Sequence, residues 1–269
     1  MCLVAIGWRA HPRWRLAIIA NRDEFHGRAS TPAGFDPERA DVYGGRDLEQ
    51  GGSWLLASTR GRLAAVTNVR TGPRGEPAPR SRGALVRGFA RARDDAMAYA
   101  TALAPDAAAY GPFNLLCWDG EALSFATNQP AYEARAVGEG VHAMSNGAFD
   151  APWPKSGLAT RALAGWLAAN DPSSEVDAPA LAGLFDALAD TTPAPDARLP
   201  DTGVGLELER LLSPPFVRGP RYGTRCSTVV LADDASIVFA ERRFGPDGVP
   251  AGESFARLAR DGTHRPAPR

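Results

Sequence analysis

The sequence predicts an α+β layered sandwich built mostly from antiparallel sheet. Hairpin patterns at both ends of the chain and helical periodicity confined to the stretches between them carry that expectation. No linker divides the 269 residues, so a single domain, 1–269, is expected, with a frayed polar tail from about residue 262.

Cys2 to Trp8 and Trp14 to Ala20 are short apolar runs separated by Arg9-Ala10-His11-Pro12-Arg13, a hairpin signal. With the loop centred near His11 and Pro12, residues whose numbers sum to about 23 face each other. Cys2 then lies opposite Asn21, with Arg22 and Asp23 one step beyond. Phe25 to Ala40, rich in Gly, Pro, Ser and Thr, reads as a long loop leaving that polar cluster. His26 at its start reads as a solvent-facing or hydrogen-bonded loop histidine.

Ser53 to Ser58 and Leu63 to Val69 read as strands around the turn Arg60-Gly61. The glycine pairs Gly44-Gly45 and Gly51-Gly52 lack the Gly-Lys-Ser/Thr ending and strand-to-helix context of a phosphate cradle. From Ser81 to Ala104 the apolar residues Leu85, Phe89, Ala92, Ala96, Tyr99 and Leu103 recur at helical spacing. Phe113 to Cys117 and Leu123 to Thr127 form a second hairpin around Asp119-Gly120, and Val141 to Ser145 a further strand. Asn146-Gly147 is a favoured turn pair. Helices are expected over about Ser156 to Asn170, Ala178 to Leu188 and Leu206 to Leu212, within a Pro-rich region 171–224 that argues against more sheet. Cys226 to Leu231 and Ile237 to Glu241 alternate around Asp233-Asp234, and Phe255 to Leu258 closes the sheet.

Thirty basic residues against 31 acidic ones remove the electrostatic footprint of a nucleic-acid binder. Lys155 is the only lysine, and the Arg-, Ala-, Gly- and Pro-rich composition fits a GC-rich bacterial genome. Three cysteines without CxxC spacing indicate neither a disulfide scaffold nor a zinc site, so no metal is expected. Neither a leader peptide nor an apolar run of ~18 residues is present, and the expected location is the cytoplasm. Oligomeric state is not encoded in any of these features.

Cys2 is the residue with the most chemistry in it. An initiator Met is commonly removed before a residue as small as Cys, leaving a free amine beside the thiol. An α-amine titrates near ~8 and a thiol near ~8.5, so the amine can take the thiol proton without a histidine. A buried, inert cysteine is the competing reading, and Cys117, inside an apolar strand, is most simply core.

Resemblance strengthens the catalytic reading. Met-Cys at the start, Asn21-Arg22-Asp23-Glu24, Gly44-Gly45-Arg46-Asp47, Gly51-Gly52-Ser53-Trp54, Thr67-Asn68-Val69-Arg70, Ser145-Asn146 and Tyr222-Gly223-Thr224-Arg225 together resemble the NRDE family, also called the transport-and-Golgi-organisation family. That family is in turn distantly similar to Ntn hydrolases of the choloylglycine hydrolase and penicillin V acylase type. The resemblance implies a four-layer αββα Ntn fold and a cysteine amidohydrolase acting on a linear amide, or a thioester, of a small acyl compound. Carried over residue by residue, Cys2 is the nucleophile, Asp23 and Arg22 hold its amine, Asn146 and Asn68 stabilise the oxyanion, and Arg225 sets local charge or binds a carboxylate. The Arg usually three residues before the Asp is Ala20 here. Asn21, Trp54, Phe149 and Trp153 are the candidate substrate-binding residues. The family resemblance also implies an alternative, a non-catalytic carrier of haem or of acyl-CoA and lipid, with no resident cofactor and haem only as cargo. His142 and Met144, on one face of a strand, are of haem-ligand type, although alternation favours packing.

Overall fold

The computed structural model describes residues 3–72 and 78–260. Its strands, in chain order, are β1 (Leu3–Trp8), β2 (Leu16–Phe25), β3 (Gly34–Asp36), β4 (Arg39–Gly44), β5 (Leu55–Ser58) and β6 (Arg62–Asn68). After the helices α1 (Arg82–Arg91) and α2 (Ala96–Ala102) come β7 (Phe113–Trp118), β8 (Leu123–Thr127), β9 (Glu133–Ala136) and β10 (Gly140–Met144). The helices α3 (Pro154–Ala169), α4 (Ala182–Leu188) and α5 (Leu206–Leu211) precede β11 (Tyr222–Ala232), β12 (Ser236–Phe244) and β13 (Pro250–Ala259).

These strands form two antiparallel sheets, ordered β10-β1-β2-β11-β12-β13 and β3-β4-β5-β6-β7-β8-β9. β1 is buried on both faces, which is why it reads as one continuous apolar run. Its Val4, Ile6 and Trp8 meet Leu55, Ala57, Leu63, Leu116 and Trp118 of the second sheet in a central core. Leu3 and Ala5 point the other way, against Leu163 and Leu167 of α3 and Leu184 and Leu188 of α4. On the far side of the second sheet, Ala64, Val66 and Leu115 pack against Leu85, Val86 and Phe89 of α1. The layers therefore run helix, sheet, sheet, helix, the αββα order expected from the resemblance.

The structure differs from expectation in both register and boundaries. The β1–β2 register pairs Leu3 with Asn21 and Val4 with Ala20, so partners sum to 24 and not to 23. Residue 2, expected opposite Asn21, lies outside the described residues. β2 does not stop at Ala20 but runs to Phe25, so the Asn-Arg-Asp-Glu segment is its paired end. The expected loop to Ala40 is shorter, because β3 and β4 form a small hairpin within it.

The expected 81–104 helix is two helices. Ala92 is extended at ψ 163°, and Asp95 starts α2 by accepting from the Ala98 amide at 2.6 Å. The carbonyls left over at the end of α1 are taken by arginines from the β5–β6 hairpin. Arg62 donates to Phe89 O and Asp94 O, and Arg60 to Ala90 O and Ala92 O. The last strand pair also reaches further than its alternation suggested, with β11 starting at Tyr222. Among the described residues no helix is long and apolar enough to cross a membrane.

Candidate functional site

Where the first sheet ends at Asn21-Arg22-Asp23, period-two alternation sends neighbouring side chains to opposite faces. Asn21, fully buried, faces the helical layer. Its Nδ2 donates to Leu188 O and Pro215 O at 2.8 Å each, and its Oδ1 accepts from Ser227 Oγ at 2.6 Å. Those bonds tie α4 and the 212–217 segment to the sheet. Asn21, expected to bind substrate, is spent on that tie and does not line the cleft described below.

Arg22 faces between the sheets. It is 5% exposed and its guanidinium lies 4.3 Å from the centre of the Trp54 ring. Among the described residues it makes no ion pair, and its buried Nη1 has no hydrogen-bond partner. Asp23 Oδ1 accepts from Thr224 Oγ1 at 2.6 Å, and that hydroxyl accepts in turn from the Val217 amide at 2.9 Å. Between Thr224 and Cys226 the β2–β11 register slips, leaving Arg225 as a bulge residue. A bulge re-aims its side chain, and Arg225 Nη1 donates to Phe25 O and Arg28 O at 2.9 Å each. Burial, then the charge on Arg22, depresses the Arg225 pKa.

Asn146 comes from the turn after β10, whose Met144 pairs with Val4 at the start of β1. The second sheet holds this turn across the sandwich. Thr67 Oγ1 donates to Ser145 O at 2.7 Å, and Asn114 Nδ2 donates to Gly147 O at 2.7 Å. The Asn146 amide is then clamped at both ends. Its Nδ2 donates to Asn68 O at 3.1 Å, while its Oδ1 accepts from Arg70 Nη2 at 3.2 Å and Lys155 Nζ at 3.4 Å. Arg70 is itself paired at 2.7 Å with Glu209, a carboxylate 4% exposed that also receives the Thr202 amide and hydroxyl.

Arg22, Asp23, Trp54, Asn68 and Asn146, distant in sequence, line one cleft of about 570 Å³. Arg70, Lys155, Leu208 and Tyr222 are also in its wall, and the volume lies within the usual range for small-molecule sites. Arg225 sits behind Arg22 and is not part of the lining. Phe149 and Trp153 also stand apart from it. Phe149 packs on Phe125 at 4.6 Å between ring centroids, and Trp153 fills the space over Gly147, where a Cβ would come within 2.6 Å of the indole. Cys2 lies outside the described residues.

His142 is hydrogen-bonded through both ring nitrogens, to Asp150 and Gly138 O, and Met144 is fully buried in the central core. His26 Nε2 donates to Gly219 O at 3.1 Å, and burial lowers its pKa. Among the described residues no cluster of three or more His, Cys, Asp or Glu side chains is placed to hold a metal.

Sequence reasoning missed Arg70, Lys155 and Glu209. Lys155 did leave a signal: the single lysine of an arginine-rich chain is 3% exposed and faces the site. Glu209, in a short helix of a Pro-rich region, left none.

A family model described as Transport and Golgi organisation 2 matches residues 1–246. The Bos taurus protein "Transport and Golgi organization protein 2 homolog" is 32% identical over 262 residues, covering 90% of this chain and 92% of that protein. The Homo sapiens protein of the same description is 32% identical over 260 residues, with the same coverage. The Drosophila melanogaster "Transport and Golgi organization protein 2" is 31% identical over 131 residues, 43% of this chain and 45% of that one.

Proposed function

The chain belongs to the Transport and Golgi organisation 2 family, and from that premise we propose that its cleft is the pocket of a cysteine acyl-transfer hydrolase of the N-terminal-nucleophile type. One observation carries the reading: Asp23, Asn68 and Asn146 line a single cleft at the end of the sheet where β1 begins, with Leu3 paired to Asn21.

In this reading removal of Met1 exposes the Cys2 amine. The amine accepts the thiol proton, and the sulfur attacks the carbonyl of a small linear acyl amide, or of a thioester. The Asp23 carboxylate holds the α-ammonium so formed. Nearby positive charge on Arg22 favours the thiolate. The carbonyl oxygen, now an oxyanion, is stabilised by the side-chain amides of Asn146 and Asn68. Asn146 Nδ2 carries two N–H bonds, of which one goes to Asn68 O. Arg70 and Lys155, both on its Oδ1, fix the amide's orientation and draw charge from it, which makes Nδ2 the stronger donor. Collapse breaks the C–N bond, and the leaving amine takes the proton from the α-ammonium. Water then attacks the thioester with the α-amine as base, releasing the acid and the thiol. Trp54, Leu208 and Tyr222 supply the apolar wall for the acyl part.

The test is a hydrolysis screen of N-acyl amides and acyl thioesters, run beside an absorbance titration with haem. Cys2→Ala should abolish turnover with the fold intact, and Asn146→Ala should reduce the rate by roughly 10²–10³. A wild-type protein that processes no acyl compound yet binds haem in a Cys2-dependent way would replace the enzyme by the cargo carrier.

A further inference from the structure

Three arginines of the cleft wall are compensated from within. Arg28 is paired with Asp47 at 2.6 Å and flanked by Glu24 and Glu49, Arg70 is paired with Glu209 at 2.7 Å, and Arg80 with Asp106 at 2.7 Å. Arg22 differs from these three. It is the most buried arginine of the lining, it forms no ion pair among the described residues, and its Nη1 is both buried and unpartnered.

Among the described residues, nothing adjacent in the sheet supplies the missing anion. The residue opposite Arg22 on β11 is Cys226, whose thiol burial pushes far above its usual range. The carboxylate beyond it, Glu241, is engaged by the Ala33 amide at 2.9 Å and by Arg243 at 3.5 Å. Arg225 adds a second guanidinium behind Arg22 and is likewise bonded only to carbonyls, at Phe25 and Arg28. A buried cation left without a counterion is costly, and a second cation behind it raises that cost.

We propose that Arg22 is the receptor for a carboxylate on the cleft's ligand, so that the site selects acyl compounds carrying a carboxylate. Trp54 covers one face of the guanidinium, which leaves its edge for the in-plane, two-point contact that a carboxylate makes. The acyl part lies against Trp54, Val66, Leu208 and Leu212. This selection concerns binding alone, so it stands or falls separately from turnover by Cys2.

Binding of octanoate, octyl phosphate and neutral octanamide to the full chain, measured by isothermal titration calorimetry, tests it. Octanoate should bind roughly 10- to 100-fold more tightly than octanamide, the range expected of one charge-assisted pair. Arg22→Met should erase that preference while leaving octanamide binding in place, and Arg22→Lys should retain part of it. Equal affinity of wild-type protein for octanoate and octanamide overturns the proposal, and this comparison needs no variant to fold. A preference for octyl phosphate over octanoate overturns the assignment to a carboxylate, and an octanoate preference that survives in a folded Arg22→Met protein overturns the assignment to Arg22.

Discussion

Gly45→Ala should destabilise the protein, although alanine is ordinarily the better residue in a folded chain. A Cβ at Gly45 would lie 2.3 Å and 2.4 Å from two carbons of the Trp54 ring and 3.1 Å from Thr31 O. Trp54 is 6% exposed and packed in the central core, so its ring can yield only at the expense of that packing and of the cleft that it lines. Overpacking of this kind costs about 1–3 kcal/mol. The indole is also the face on which Arg22 rests, so its displacement should disturb the cleft. Gly165→Ala is the internal control. Gly165 is exposed in α3 and a Cβ there meets nothing within 4 Å, so the ordinary helix preference of about 0.5–1 kcal/mol for alanine should appear as stabilisation. Urea unfolding of both variants beside wild type reads the two signs. Were Gly45→Ala to fall within about 0.5 kcal/mol of wild type, the packing of Trp54 against Gly45, and with it the support of Arg22, would be wrong.

Two further outcomes follow from buried charge. Glu241 is 2% exposed, its Oε2 has no partner, and burial raises its pKa. A carboxyl that holds its proton more tightly when folded contributes stability that is complete below the unfolded value near ~4.3 and is lost as pH rises toward the folded value. Glu241→Gln should therefore gain stability relative to wild type as pH is raised from about 4 to 8, measured by denaturant unfolding at each pH, and a constant difference would contradict it. Arg70→Met strands the buried Glu209 with Thr202 alone and removes a donor from Asn146. It should cost about 3–5 kcal/mol in the same unfolding assay, and a loss below about 1 kcal/mol would show that Arg70 is not a buried partner.

The hairpin that opens the chain was legible because its apolar runs are bounded by a polar, Pro-containing loop. Its register was not. β1 and most of β2 are buried on both faces, so no in-and-out alternation marks which residues share a side. The turn adds a positive φ of 47° at Arg9, a conformation that nothing in the local sequence announces. Helical periodicity ran unbroken from Leu85 to Leu103 because α1 and α2 pack on the same sheet, with only a short break from the extended Ala92 to the Asp95 cap between them. In the site, Asn68 and Asn146 were readable through family blocks alone, since Asn-Gly by itself signals only a turn. The clamp of Arg70 and Lys155 on Asn146, backed by Glu209 on Arg70, joins three regions far apart in the chain, and no local pattern encodes such a meeting. Asn21 was hard to place for a related reason: its neighbours suggest a site, but strand alternation turns its side chain toward the helices.

Intact-mass and peptide mass spectrometry of the untagged protein, after brief incubation with an acyl thioester and acid quench, tests the nucleophile most directly. The account predicts a chain beginning at Cys2, with one acyl group added to the peptide containing Cys2 and none added in Cys2→Ala. Retention of Met1 in most molecules, or acylation that falls on another residue, would contradict it.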